Sequence, residues 1–351
     1  MRQLEGFVKG INLGGWISQY EKFDKHHFDT FITRKDIEKI ASWGLDHVRV
    51  PVDYEVLEME DGSIRENGYE YLDNCLVWCR KYGLKMIIDL HRAYGYTFDP
   101  MNSDDKEKFF LDSNLQDRFY KIWDVISKRY AEDSDDVAFE LLNEIVSRNI
   151  YKEWNEIALN CISVIRKNAP NNWIIFGGTD YNSVNAIPNL PNVDDMKVAY
   201  TFHCYDPFMF THQGCHWVDT MPRDFRINYP ASLDAYRLKD TTLSENEVGG
   251  LKVFAQAFDN ERITAIDPSL FEIIFEPAIK TCEERNIPVY VGEYGVIDIA
   301  DHQSKINWLK DINSVFEKYN MARSYWSYRK MNFGIEGEDH IEVIDNLVKL
   351  L

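Results

Sequence analysis

Short apolar runs alternate with amphipathic stretches along the whole chain. The first run is Phe7–Leu13, followed by Asp46–Val50, Lys85–His91 and Val137–Leu142. The second half continues with Trp173–Gly177, Val198–His203, Pro288–Gly292 and Arg323–Trp326. Each is short and rich in β-branched or aromatic residues, so eight strands are expected. Between them the apolar spacing turns helical. Thr33 and Asp36 form a capping start ahead of Ile37, Ile40 and Ala41, and Gly44 marks the end. Leu72, Leu76 and Cys79 share one face of a helix over 69–82, and Gly83 follows it. Similar patterns cover 115–130, 152–167, 270–286, 303–319 and 339–351. Helix alternating with strand argues for a parallel sheet, and eight such units for a closed (β/α)8 barrel, a TIM barrel, rather than an open sheet. The chain of 351 residues is then a single α/β catalytic domain over 1–351.

One connection breaks the rhythm. About 64 residues separate the sixth strand from its helix, far more than a usual βα loop. We read 206–268 as an inserted subdomain at the active-site face, with a helical stretch at Glu247–Phe258 and aromatic residues that include Trp217 and Tyr229.

In a barrel of this kind, reactive side chains sit at the C-terminal ends of the strands. Read there, the runs end on Arg49, His91, Asn143 with Glu144, His203 with Tyr205, Glu293 and Trp326. Taken singly, an Arg or His at a strand end is more often a satisfied structural group, a Glu a solvated loop residue and a Trp part of the core. Their coincidence around one rim is the signal. Two carboxyl groups are what glycoside hydrolysis requires: one protonates the leaving oxygen, the other attacks the anomeric carbon or activates water. The acid needs burial to hold its proton, and the attacking carboxylate is favoured by a nearby Arg. Asn143 could bind a sugar hydroxyl, Tyr205 could hydrogen-bond the nucleophile, and Trp326 could floor the sugar site.

Composition narrows the partners. Lys and Arg number 39 against 58 Asp and Glu, giving a net charge of −19. That field disfavours nucleic acid and anionic membrane surfaces. There is no apolar run long enough for a membrane span, and the opening Met1–Gly6 has no signal-type stretch. Sequence alone therefore points to the cytoplasm, with an extracellular site open if a leader has been trimmed. Six cysteines are too sparse for a disulfide framework and lack zinc-ligand company. No nucleotide loop, zinc-protease helix or serine-hydrolase elbow is found. His212 and His216 are four apart and could share a helix face as metal ligands, though cleft-lining roles suit them better.

At these residues the sequence resembles glycoside hydrolase family 5, the cellulase family with a (β/α)8 fold. The matching segments are Gly10–Trp16, His47–Pro51, Asp89–His91, Leu142–Glu144, Phe202–Tyr205, Val291–Gly295 and Tyr325–Trp326. Asn-Glu after the fourth strand is the specific motif; the others count together. The resemblance implies a retaining hydrolase of β-glycans that needs no cofactor or metal, with Glu144 as acid/base and Glu293 as nucleophile. It implies that Arg49 and Tyr205 hold the nucleophile and that His91, Asn143, His203 and Trp326 shape the reacting-sugar site. With Asn12, Trp16 and the long insert, the pattern is most like the clostridial endoglucanases of the family, which act on β-1,4-glucan and mixed-linkage glucan. Two departures bear on substrate choice: Arg92 stands where many relatives have a second His, and Thr179-Asp180 stands where Asn-Asn is frequent.

The expected function is therefore an endo-β-1,4-glucanase, working as a monomer on β-glucan oligo- or polysaccharide. The expected substrate contacts are Asn12, Trp16, Arg49, His91, Arg92, Asn143, His203, Tyr205, Trp217 and Trp326. The competing enzyme readings are an exo-β-1,3-glucanase, a xylanase or a mannanase on the same scaffold, separated by cleft shape and substrate panel. A non-catalytic glycan-binding barrel would bind without turnover and usually lacks one carboxylate. The retaining assignment requires carboxyl groups about 5–5.5 Å apart.

Overall fold

A computed structural model describes residues 1–98, 107–218, 221–237, 260–337, 340 and 342–351. Eight strands close into one barrel in sequence order: β1 (Lys9–Asn12), β2 (His47–Asp53), β3 (Lys85–Arg92), β4 (Val137–Glu140), β5 (Ile174–Gly177), β6 (Val198–Cys204), β7 (Val289–Tyr294) and β8 (Ala322–Tyr325). All neighbours are parallel, and β8 returns to β1. All eight apolar runs thus became strands.

Side chains alternate across each strand, and the two sets have different fates. Val48, Val50 and Val52 of β2, with Met86, Ile88 and Leu90 of β3, join the large core shared with the helices. The inward set begins with an apolar plug. Ile87, Ala138, Ile175, Ala199, Tyr290 and Ala322 pack together with Leu4, Phe7 and Trp173, which precede β1 and β5. Two residues further along β3, β4, β6 and β8 the inward positions become polar, at Asp89, Glu140, Thr201 and Ser324, and β2 adds Arg49 to this layer; all are essentially buried. This polar layer lies between the plug and the rim.

The helices follow the amphipathic stretches. Arg34–Ser42 opens with the Thr33/Asp36 capping box. Glu66–Tyr82 ends on Gly83 at φ 75°, a left-handed position that glycine takes without strain. Ser113–Arg129, Tyr151–Asn168, Pro268–Arg285 and His302–Lys318 complete the outer ring. After β5 there is only a turn at Thr179–Asn182 and a 3-10 stretch at Val184–Asn189, matching the absence of a helical pattern there. At the C-terminus the helix is only Ile344–Val348, shorter than the expected 339–351.

The described residues between β6 and the Pro268–Arg285 helix are fastened to the barrel. The Trp308 indole N–H donates to the Asp206 carbonyl at 2.8 Å, and the Tyr229 hydroxyl donates to Asp311 at 2.9 Å, both on the His302–Lys318 helix. Within this segment, Gln213 donates to the carbonyls of Phe210 and Ile227 and accepts from the Ile227 N–H. The expected helix at Glu247–Phe258 lies outside the described residues. All six cysteines are free and buried, as their sparse spacing suggested.

Candidate active site

The polar layer converges on Arg49. It sits mid-strand in β2 and is fully buried. Its Nε and Nη2 donate to the two oxygens of Glu140 at 2.7 and 3.0 Å. Nη2 also lies 3.0 Å from Asp89 and donates to Asn143 at 3.0 Å. Nη1 donates to Asn12 and to Glu293, each at 2.9 Å. One cation thus faces three carboxyl groups in a dry interior, so these groups cannot all be ionised cheaply. Burial pushes Asp89 up to about 7 and raises Glu140, with Arg49 pulling the other way in both cases. Replacing Glu140 by Leu would strip Arg49 of its two-pronged partner and leave its buried Nε–H without that acceptor, while Asp89 and Glu293 still hold the charge. A loss of about 1.5–3 kcal/mol is expected, read from urea unfolding; a midpoint unchanged from wild type would show that Asp89 and Glu293 suffice.

Above this layer stand the two glutamates. Glu293, on β7, accepts from Arg49 on Oε1 and from the Tyr205 hydroxyl on Oε2 at 2.8 Å. Glu144, just beyond β4, is hydrogen-bonded through Oε1 to His203 Nδ1 at 2.8 Å, and the same nitrogen lies 3.6 Å from Glu293 Oε2. An oxygen of each glutamate and a ring nitrogen of His203 all lie within 4.8 Å of one another. Burial pushes Glu144 up to about 8, against the pull of Arg49, and pushes His203 down to about 4. At neutral pH the pair is a protonated carboxyl beside a neutral imidazole. His91, hydrogen-bonded to Asp89 at 2.6 Å and pushed by burial to about 3, is likewise neutral, and its ring lies parallel to Trp326 at 5.8 Å. Together these groups can deliver a proton from one side of a bond and hold a carboxylate on the other.

A family model described as cellulase (glycosyl hydrolase family 5) matches residues 9–332. The chain belongs to glycosyl hydrolase family 5. It is a glycoside hydrolase. It is 40% identical over 348 residues to endoglucanase C of Acetivibrio thermocellus, covering 98% of both chains. It is also 38% identical over 330 residues to cellodextrinase A of Ruminococcus flavefaciens, covering 94% of this chain and 88% of that one. Among solved structures, Thermotoga maritima Cel5A in complex with cellobiose superposes with a TM-score of 0.75 at 21% identity, covering 98% of this chain and 97% of the other. That likeness bears out the (β/α)8 fold.

The cleft of this family 5 barrel has a volume of about 420 Å³. His91, Arg92, Asn143, Glu144, Tyr205, Trp217, Glu293 and Trp326 line it, so eight of the residues expected at the site meet there. His203 reaches the site through Glu144. Three expected contacts do not reach the wall. Asn12 is fully buried and donates to the carbonyls of Gly292, Ser324 and Tyr325, tying β1 to β7 and β8. Trp16 is fully buried, its indole N–H donating to Phe28 at 2.7 Å, and belongs to the core. Arg49 lies beneath the cleft floor and touches it only through Asn143 and Glu293. A strand-end position marks polarity but not depth, and these three lie one layer down or behind the strands.

Sequence reasoning passed over Asp89 and Glu140, although both interrupt apolar runs at inward positions, which was the available signal. It also missed Gln19, Tyr20, Phe98 and Phe333 on the cleft wall; these come from loops, where no periodicity marks them. Tyr96, whose hydroxyl donates to the Glu144 carbonyl, was missed for the same reason. His212 and His216 do not pair. His212 is buried and stacked on Phe208 at 3.9 Å, whereas His216 is exposed. Asp180 of the Thr179-Asp180 departure is bonded to Arg148 at 2.7 Å, in a turn where Asp180, Tyr181 and Asn182 all have positive φ.

Proposed function

We propose that this protein is a retaining endo-β-1,4-glucanase acting on β-1,4-glucan and mixed-linkage β-glucan. The observation that carries the retaining step is that one carboxyl oxygen of Glu144 and one of Glu293 lie within 4.8 Å of each other, which suits the close carboxyl pair of retaining enzymes. Glu293, held by Arg49 and Tyr205, attacks the anomeric carbon while Glu144 gives its proton to the leaving glycosidic oxygen. The glycosyl ester on Glu293 is then released by a water that Glu144 deprotonates. Support for the substrate comes from the relatives: endoglucanase C and cellodextrinase A match nearly the whole chain. His91 and Trp326 supply a flat apolar face for the reacting sugar, and Asn143 a hydrogen-bonding amide beside it.

The test is release of reducing ends from barley mixed-linkage glucan, carboxymethylcellulose, laminarin, xylan and mannan. Release from the first two is expected. Release from laminarin, xylan or mannan alone would keep the chemistry and overturn the substrate. Trp217, half-buried at the cleft, edge-on to His212 and tilted against Phe333, is proposed as a sugar platform. Trp217→Ala is expected to weaken cellotetraose binding about tenfold by calorimetry; unchanged affinity would return Trp217 to a packing role.

A further inference from the structure

The two glutamates are carried in different ways. Glu293 lies within β7, paired with β6, and its carboxylate is held by Arg49 and Tyr205. Glu144 lies between the end of β4 at Glu140 and the helix that starts at Tyr151, where the backbone forms neither helix nor strand. The place of its carboxyl therefore depends on what fixes this loop. Before it, the Asn143 N–H donates to the Leu90 carbonyl at 3.1 Å; after it, the Ile145 carbonyl accepts from the Tyr181 N–H at 2.9 Å. Tyr96 adds a third tie. Its hydroxyl donates to the Glu144 carbonyl and accepts from the Val146 N–H at 3.0 Å, so one oxygen joins the peptide groups on both sides of Ile145.

The local fold delivers that hydroxyl. β3 is followed by a tight turn in which the Tyr96 N–H donates back to the Ala93 carbonyl at 2.9 Å, with Gly95 at φ 84°. The Tyr96 ring is buried, edge-on to Phe110 at 5.3 Å and tilted against Phe109 at 6.1 Å. Phenylalanine would fill this seat equally well; what tyrosine adds is the oxygen. Burial pushes the phenol up, so it keeps its proton and stays a donor to the Glu144 carbonyl. Without it, that carbonyl and the Val146 N–H lose their shared partner in a buried place, and the loop must shift to find others. A displacement of about 1 Å in a reacting group is enough to cost about 100-fold in rate.

We propose that Tyr96 is a positioning residue for the acid/base carboxyl: its hydroxyl fixes the loop that carries Glu144 and leaves the nucleophile untouched. This rests on the retaining β-glucanase reading of the site. The consequence is selective. Removing the hydroxyl impairs the two steps that need Glu144, protonation of a poor leaving group and deprotonation of the incoming water. Attack by Glu293 on a substrate whose leaving group needs no proton is spared.

The test is Tyr96→Phe. Its kcat/KM on barley mixed-linkage glucan is expected to fall about 10–100-fold. Single-turnover release of dinitrophenolate from 2,4-dinitrophenyl β-cellobioside, which reports attack by Glu293, should match that of the unsubstituted protein. Steady-state turnover of the same compound, limited by hydrolysis of the glycosyl-enzyme, should fall with the glucan rate. The alkaline limb of the glucan profile should also move to lower pH, because burial is what raises Glu144 and a loosened loop admits water. Equal losses on all three rates, or no loss on any, overturn the proposal and leave Tyr96 a packing role. Should Tyr96→Phe not fold, Phe110→Leu, which keeps the hydroxyl but loosens its seat, is judged by the same comparison, with the loss again confined to the steps that need Glu144. If the unsubstituted protein releases no dinitrophenolate, the β-glucanase reading itself fails, which is a separate result from unselective or absent losses in the variant.

Discussion

Glu293→Gln is expected to reduce kcat on mixed-linkage glucan by a factor on the order of 10⁴–10⁶, the scale on which removing an attacking group collapses covalent catalysis. The amide matches the carboxylate in shape, so the cleft and its affinity should largely survive. What disappears is the nucleophile. The substitution also turns one acceptor into a donor facing either the Arg49 Nη1 or the Tyr205 hydroxyl, so thermal unfolding should be followed alongside activity. A shortened variant, Glu293→Ala, separates the role from the loss. The space it opens admits azide, which attacks the anomeric carbon from the vacated face. On an activated aryl cellobioside the expected product is the α-glycosyl azide, identified by proton coupling at the anomeric carbon. A β-azide, or no rescue with a folded protein, would remove Glu293 from the nucleophile's position.

The site was legible in the sequence at the level of strand ends. Each of the eight runs is short and mostly apolar, as strands buried on both faces are, so their order placed Glu144 and Glu293 on one rim without coordinates. What could not be read that way was depth. Arg49 and Asn12 also occupy strands near polar residues, yet they lie one layer below the cleft. Counting in twos along β3, from Ile87 to Asp89 to His91, separates plug, buried ionic layer and rim. The same count on β4 sets Glu140 in the middle layer. Asp89 and Glu140 could have been found by it. Trp16 could not: it follows a Gly-Gly turn, and only the packing of Phe28 and Tyr71 decides that its ring turns into the core. Arg92 stood out in the sequence, but its partners Asp53 and Glu55 did not, because these contacts join residues 39 and 37 apart in sequence.

The pH profile is expected to isolate the second glutamate. Burial holds the Glu144 carboxyl at about 8, so it carries its proton through the neutral range, and kcat/KM on mixed-linkage glucan should fall as pH rises through about 8. The sign follows from the role: the protonated form donates, and ionisation removes the donor. In Glu144→Gln this alkaline limb should be absent and the residual rate lower by roughly 10²–10⁴-fold. A dinitrophenyl leaving group needs no proton, so with that substrate the variant should form the glycosyl-enzyme normally and stall at its hydrolysis, giving a burst of phenol followed by a slow phase. The stall reflects the second duty of Glu144. Once Glu293 is an ester, a negative charge within 4.8 Å is gone. Arg49 then has one carboxylate fewer to serve, so ionising Glu144 costs less and the acid becomes the base that water requires. Azide should relieve the slow phase in Glu144→Ala and yield the β-glycosyl azide, opposite in configuration to the product of Glu293→Ala. A polysaccharide profile flat through pH 9 in the unsubstituted enzyme would mean that some other group protonates the leaving sugar.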